Sequence, residues 1–575
     1  MAVDSTRLLR THFYGLSVEQ LVSQIVPTPP PARDGDPAPS PEQNIGFACT
    51  DLVARNGGGL AMRWLQSSGD TVEISYHELA EQSSRFANVL GALGVRAGET
   101  CFVLLPKIPE VFYAFLGSLK ARVVVCPLFI NYGEPALQDR LADAEARVLV
   151  TKRSLLRKVA RIRDRVPTLR HVLIVDSEDD VNDSTLSLPR LLRSASPDFA
   201  VAPTSPDTAS LLHYTSGSTG KPKGVLHTHG ALALQRQTTA EVLGVHPGDV
   251  FWCTADPGWV TGTAYGIVGP WSLGATQIHY HGPFDADTWM TILERQAVNV
   301  WYTAPTALRM LMRDDQGLFH GRNLTALRHI ASVGEPLNPE VVRWGREILG
   351  RDIHDTWFQT ETGAIMIANR PGLPIRPGSM GKPVAGIAAA ILDRAGRALE
   401  PGHQGRLCLR GDWPSLFRQY LHRPDAYASK FQDGYYDSGD TAVCDRDGYY
   451  WFVGRADDVI NTTGHLVGPF EIESALLEMA EVAESAAVSA PDPVRFEKVV
   501  VFVVLRAGIA PSRELESRIR MHVANRVSSF AAPQDVVFLA AIPKNSSGKI
   551  MRRVLRARFL GQDVGDLSTL EPSGC

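Results

Sequence analysis

No close Cys-x-x-Cys pair occurs in this chain; its seven cysteines (Cys49, Cys101, Cys126, Cys253, Cys408, Cys444 and Cys575) are scattered and odd in number. That excludes the usual paired-cysteine zinc sites and points to a reducing compartment. A sustained basic stripe is missing as well. With 58 Lys and Arg against 62 Asp and Glu the formal charge is −4, which excludes nucleic acid as an expected partner while leaving local lysines able to hold small anions. Long apolar runs are also scarce. The most hydrophobic stretch, residues 111–127, is broken by Lys120 and Arg122, falls short of a membrane span, and reads as helix, turn and buried strand. The first residues carry charge without an apolar segment behind them, so no secretory signal is expected and the cytoplasm is the expected location.

A chain of 575 residues exceeds what one hydrophobic core usually serves, so at least two domains are expected. Residues 27–42 hold so many prolines that an extended surface segment is expected there. Beyond them, helical and strand-like patterns alternate. A helical spacing from Tyr76 ends at Gly94 and strand 99–105 follows; helix 135–144 precedes strand 146–151; helix 156–166 precedes strand 171–175; helix 288–296 precedes strand 298–303. Repeated units of this kind imply an α/β body with mostly parallel sheets. Near residue 388 the pattern changes to short strands with Asp/Gly turns, as in an antiparallel subdomain. After about 457 come a helix around Glu471–Leu477, strands 485–490 and 498–505, and a helix from Ser512 to Val527. The expected organisation is an N-terminal extension (1–45), a large domain (46–457), and a small α+β domain (458–575) able to move as a unit.

The most informative segment is Tyr214-Thr-Ser-Gly-Ser-Thr-Gly-Lys-Pro-Lys-Gly224. Its glycines let backbone N–H groups face an anion, its hydroxyls donate, and its lysines supply charge, which is the composition of a phosphate cradle. Gly217 and Gly220 are too close for a P-loop, and Pro222 follows Lys221 where that motif has Ser or Thr. Neither Ser216 nor Ser218 fits a hydrolase elbow. His227 and His229 lack a third zinc ligand and read as packing or hydrogen-bonding histidines.

Four further polar clusters stand out. Ser332-Val-Gly-Glu-Pro-Leu-Asn338 has a glycine where a planar ring could slide past main chain, although an ordinary strand-to-helix turn has the same composition. Asp355-Thr-Trp-Phe-Gln-Thr-Glu-Thr-Gly363 sets Glu361 among hydroxyls and aromatics, a carboxylate suited to Mg²⁺ beside a triphosphate. Asp437-Ser-Gly-Asp-Thr441, followed by Gly454-Arg-Ala-Asp-Asp458, offers a carboxylate for ribose hydroxyls and an arginine for ribose or phosphate; surface turns would look similar. Pro543-Lys-Asn-Ser-Ser-Gly-Lys549 ends in a lysine able to reach an anionic reacting centre or to remain solvated.

Taken in order, these motifs resemble the adenylate-forming acyl-CoA synthetases, in particular the acetyl-CoA synthetase-like branch, over residues 45–560. The resemblance implies a two-step, AMP-forming acid–thiol ligase: a carboxylate and ATP give acyl-AMP and pyrophosphate, and coenzyme A then displaces AMP. It implies catalytic roles for Lys549, Glu361 and Thr215. Thr215, Ser216, Gly217, Ser218, Thr219, Gly220 and Lys223 would hold phosphate. Gly334, Glu335, Pro336 and Trp357 would line the adenine site, and Gln359 and Thr360 would also bind the nucleotide. Asp440 and Arg455 would fix the ribose, Glu361 the Mg²⁺, Asp457 the hinge, and Gly464 the pantetheine tunnel. ATP, Mg²⁺ and coenzyme A are the implied cofactors, and a lysine acetyltransferase/deacetylase pair acting on Lys549 is an implied partner. Val260, Thr261, Val333 and Phe358 would wall the acid pocket. The branch has tryptophan at the position of Phe358, so acetate comes first and propionate or a medium-chain or branched acid second. Leu466 and Asn545-Ser546 depart from the branch pattern. A carrier-protein adenylation enzyme and a non-catalytic nucleotide-binding regulator are the remaining alternatives.

Overall fold

The strand patterns assemble into four sheets in the computed structural model, which describes residues 38–215, 222–313, 317–455, 458–462, 465–492, 496–545 and 549–564. The first sheet runs in space Gln419–Tyr420, Lys223–Thr228, Ala209–Thr215, Val124–Pro127, Thr100–Val103, Val148–Thr151, His171–Ile174, Thr185–Ser187. From Ala209–Thr215 onward every pairing is parallel, and the other two strands add antiparallel. The second sheet has a parallel centre of Ile353–Trp357, His329–Ser332, Val300–Thr303, Val250–Cys253, Thr276–His281 and Leu60–Gln66. Antiparallel strands flank it on both sides.

Between these sheets lies helix Pro109–Lys120, buried at every position except Glu110. Its composition explains this, since a helix apolar all round must be covered all round. Phe112 meets Trp271 edge-on at 5.2 Å and His279, on the second sheet, at 4.1 Å. Helix Tyr76–Ala92 packs beside it, capped by Ser75 accepting from the Glu78 N–H and closed by Gly94 at φ +72°. Lys120, which breaks the apolar run, is buried with its ammonium fully engaged: 2.6 Å from Asp51, 2.9 Å from the Ala80 carbonyl and 3.0 Å from Ser84 Oγ. Burial pushes its pKa down and Asp51 pushes it back. Asp51→Ala strands that charge, and we expect a loss of about 3–5 kcal/mol, read as a lowered urea midpoint of the large domain.

The third sheet, Ala388–Leu392, Gln404–Arg410, Tyr435–Cys444, Phe431–Gln432 with Tyr450–Arg455, is antiparallel throughout. The smaller C-terminal domain has the order His465–Val467, Ile460–Thr462, Phe496–Leu505, Val482–Asp492, with Asp535–Phe538 beside Phe496–Leu505. Helices Pro469–Leu477 and Arg513–Arg526 pack on it around Ile472, Leu476 and Ile519. The large α/β domain with mostly parallel sheets, its antiparallel subdomain and the small α+β domain are therefore as the sequence predicts. One element differs: helix 156–166 is reduced to Leu156–Ala160 and a 3-10 turn Arg163–Arg165. Pro167 disfavours helical backbone at Val166, and three arginines crowd 161–165. No described helix is long and apolar enough to cross a membrane. Cys49, Cys101, Cys126, Cys253 and Cys408 are buried and Cys444 partly so; Cys575 lies outside the described residues.

Candidate active site between the two domains

The glycine- and hydroxyl-rich segment joins two paired strands. Thr215 ends one and Lys223 begins the other, paired directly across from it. Ser216, Gly217, Ser218, Thr219 and Gly220 lie outside the described residues. The anchorage is firm: the Tyr214 hydroxyl donates to Asp143 (2.9 Å), and the Lys223 ammonium lies 5.2 Å from the Tyr420 ring centre.

Segment 355–365 leaves the end of strand Ile353–Trp357 and is bonded along its whole length. His227 Nε2 donates to the Thr360 carbonyl at 2.7 Å, which requires a proton on Nε2; burial pushes its pKa down to about 4, which favours the neutral ring. His229, just past the strand, accepts the Ile45 N–H on Nδ1. The Thr362 carbonyl accepts from Trp413 Nε1 and Ser415 Oγ, and the Gly363 carbonyl from Gln235. Gly363 sits at φ +70°, and a Cβ there would lie 2.3 Å from the Ser415 carbonyl oxygen. Glu361 Oε1 accepts the Tyr420 hydroxyl at 2.7 Å. No three His, Cys, Asp or Glu side chains among the described residues form a metal cage. A lone, oriented carboxylate whose Tyr420 partner also lies under the Lys223 ammonium suits a hard cation whose other oxygens come with a phosphate ligand.

Asp440 is buried where the second and third sheets meet. Its Oδ2 accepts from Trp357 Nε1 (3.0 Å) and Gln359 Nε2 (3.0 Å), and its Oδ1 from Arg455 (3.0 Å). Gln359 is oriented in turn by the Tyr436 hydroxyl on Oε1 (2.8 Å) and by the Ser438 carbonyl (3.0 Å). Burial pushes the Asp440 carboxyl up, opposed by Arg455 and then Trp357. These donors fill three of the about four acceptor positions of a carboxylate, so one sugar hydroxyl fits without displacing a protein partner.

Gly334, at φ +93°, follows strand His329–Ser332, and a Cβ there would meet nothing within 4 Å. Beside it Glu335 is nearly buried. It accepts from Thr306 Oγ1 (2.7 and 3.0 Å) and pairs with Arg309 at 2.5 Å. Arg309 also reaches Asn338, whose amide donates to Ser474 of the small domain at 2.9 Å. A cleft runs here, with Glu335 and Pro336 on one wall and Glu473, Lys549 and Arg552 on the other. Arg552 holds the buried Glu473 through contacts of 2.6 and 2.7 Å.

Lys549 stands in this cleft. Its backbone is tied to Asn545: the Asn545 N–H donates to the Lys549 carbonyl and the Lys549 N–H to the Asn545 side-chain Oδ1, both 2.9 Å. Its ammonium feels Asp440 and Asp458 as attraction and Arg455 as repulsion. Crowding within the cleft pushes its pKa below the usual lysine value, with Arg455 adding to the fall. The residue as a whole stays exposed, which limits the shift. Sequence positions 440 and 455 are thus paired directly, and 549 lies within their electrostatic reach.

The apolar positions also converge. Val333 and Phe358 share a cluster with Ala264, Tyr265 and Tyr302, and Val260 and Thr261 occupy the preceding turn of the same helical run. Gly262 is required there, since a Cβ would lie 2.0 Å from the Asp256 carbonyl oxygen. Asp457 and Gly464 fall outside the described residues, while Leu466 pairs with Asn461 in its strand. Sequence reasoning missed Tyr420, Thr306, Arg309 and Ser474. Each acts on a residue at least 26 positions away, and none lies in a motif.

Comparison with known proteins agrees along the chain. The AMP-binding enzyme family model matches residues 51–421, and its C-terminal domain model residues 471–549. The acetyl-coenzyme A synthetase of Bacillus subtilis (strain 168) is 45% identical over 501 residues, 87% of each chain. Acetyl-coenzyme A synthetase 2 of Pseudomonas aeruginosa is 37% identical over 561 residues, 92% of this chain and 87% of the other. Among solved structures, an anthranilate CoA ligase in complex with anthranoyl-AMP superposes with a TM-score of 0.82 at 28% identity, covering 91% of this chain and 98% of that one. The Brucella canis acyl-CoA synthetase gives 0.70 at 32% identity over 95% and 98%.

Proposed function

This chain belongs to the AMP-binding enzymes, and we propose that it joins a short-chain carboxylate, acetate first, to coenzyme A through an acyl-adenylate, releasing pyrophosphate and AMP. The observation that carries this is the position of Lys549, on the small domain yet in the electrostatic reach of Asp440 and Arg455. Similarity to acetyl-coenzyme A synthetases over 87% of the chain supports the choice of acid.

In the first half-reaction two anions must meet, the carboxylate and the α-phosphate of ATP. The Lys549 ammonium supplies charge at that junction, where a low-dielectric cleft strengthens it. Asp440 takes one ribose hydroxyl while Trp357, Gln359 and Arg455 hold its carboxylate. Gly334, Glu335 and Pro336 border the adenine; Thr306 and Arg309 fix the Glu335 carboxylate there. Thr215, the loop 216–220 and Lys223 hold the phosphates, with Thr360 beside them. Mg²⁺ would be held by Glu361 together with triphosphate oxygens and would neutralise charge on the leaving pyrophosphate. In the second half-reaction the coenzyme A thiol attacks the acyl carbon and AMP leaves. For that the small domain, which we take to begin at 458, turns about Asp457, withdraws Lys549 and brings Gly464 to the thiol's path. Acetylation of Lys549 by an acetyltransferase, reversed by a deacetylase, would remove the charge the first step uses.

Phe358 favours a second reading of chain length: a phenyl wall leaves more room than the indole of the acetate branch, so propionate is a close competitor. Acid-dependent ATP–pyrophosphate exchange over straight-chain acids of two to eight carbons tests both. We expect exchange with acetate and propionate and a steep decline beyond. Exchange that peaks at six to eight carbons contradicts the short-chain assignment, and none with any acid contradicts the activity.

A further inference from the structure

Tyr265 is fully buried, and its hydroxyl proton can be placed. Thr238 Oγ1 donates to the Leu234 carbonyl at 2.7 Å, so in its 2.8 Å contact with Tyr265 it must accept; the Tyr265 hydroxyl donates to it and accepts the Ile365 N–H at 2.7 Å. Each of these two hydroxyls thus has a partner for its proton and for one lone pair. The ring is fixed as well, edge-on to Phe358 at 5.4 Å and 79° and to Tyr302 at 5.7 Å and 89°. Tyr302 donates to Thr356 Oγ1 at 2.7 Å, since Thr356 gives its own proton to the Ser332 carbonyl. The two tyrosines therefore grip segment 356–365 at both ends, with Phe358 between. Tyr265 itself sits in the wide helical turn Ala264–Val268, just beyond Val260 and Thr261.

We propose that Tyr265 is a specificity-determining residue: it backs the Phe358 ring across the end of the acid pocket, so that accepted chain length is set by the pair and not by Phe358 alone. This rests on Phe358 walling the acid site. A phenyl ring with nothing behind it can swing away from an incoming acyl chain. One packed against a ring whose hydroxyl is bonded on both sides cannot move without breaking those bonds.

The test compares full-length wild type, Tyr265→Leu and Tyr265→Phe in kcat/KM for acetate, propionate, butyrate and hexanoate, with the KM for ATP as control. Tyr265→Leu removes the ring, and the butyrate-to-acetate ratio is expected to rise at least about tenfold, the worth of nearly two extra methylenes of room. Tyr265→Phe keeps the ring and loses only the hydroxyl chain; about a threefold rise in the same direction is expected. The KM for ATP should stay within about twofold in both, because the adenine and ribose contacts are made by other residues. A uniform fall with all acids and an unchanged ratio would mean that Tyr265 is only core packing, and this overturns the proposal. Should Tyr265→Leu fail to fold, an unchanged ratio in Tyr265→Phe overturns it alone. A wild type inactive with every acid fails the parent assignment instead, a distinguishable outcome.

Discussion

Lys549→Ala should lower acyl-AMP formation by about 10²–10³-fold, the usual cost of removing one preorganised charge from a developing anionic centre, while thioester formation from supplied acyl-AMP stays near wild type. The split follows from where the residue stands. In this arrangement its ammonium lies within electrostatic reach of Asp440 and Arg455, and two hydrogen bonds between Asn545 and Lys549 hold its backbone in place. Withdrawal of the small domain for the second step takes the amine away, so that step has nothing to lose. The two half-reactions also separate by pH. Crowding within the cleft and Arg455 depress the Lys549 pKa, so on raising the pH the ammonium is lost earlier than an ordinary lysine would lose it. Adenylation should then decline while attack by the coenzyme A thiol, favoured by its own ionisation, does not. Equal loss of both steps in Lys549→Ala, or parallel pH profiles, would contradict this assignment.

Gly363→Ala is expected to be nearly as damaging, through geometry and not charge. The backbone is left-handed there, and the added methyl would meet the Ser415 carbonyl oxygen at 2.3 Å and His227 Cε1 at 2.9 Å. Both neighbours are already bonded to this segment, Ser415 through its hydroxyl to the Thr362 carbonyl and His227 to the Thr360 carbonyl, so neither can retreat without breaking a contact. We expect destabilisation of about 3–5 kcal/mol and, in whatever folds, a fall in pyrophosphate exchange of about 10²-fold from displacement of Glu361 and Phe358. Thermal unfolding and exchange measured on one preparation check both; wild-type values for either would show that the segment is more pliant than its bonding indicates.

The difference between what the sequence reveals and what it conceals follows contact distance. The strand that leads into the phosphate-type segment is visible because Thr208–Tyr214 is an apolar run followed by glycines, and the parallel sheets because helix and strand periods alternate; the returning strand Lys223–Thr228 was not foreseen. Ser75, Gly94 and Ser512 mark helix ends by local chemistry. Motif residues 357, 359, 440 and 455 were legible as types suited to a nucleotide, but not that they bond to one another. Glu361 looked like a lone carboxylate, yet Tyr420, 59 residues later, holds it. Asn338 and Ser474, 136 residues apart, join the domains without any sequence pattern to announce them. Such pairs are set by the packing of the sheets, which local spacing does not encode. Helix 156–166 failed in the opposite way: the apolar spacing was present, but Pro167 outweighed it.

The most direct measurement is a crystal structure with a non-hydrolysable acyl-adenylate bound. The amine of Lys549 is predicted to lie about 2.7–3.2 Å from an α-phosphate or acyl oxygen, with a ribose hydroxyl on the Asp440 carboxylate. A bound adenylate whose phosphate is met by other cations, with that amine turned to solvent while the small domain keeps its Asn338–Ser474 contact, would contradict the central claim.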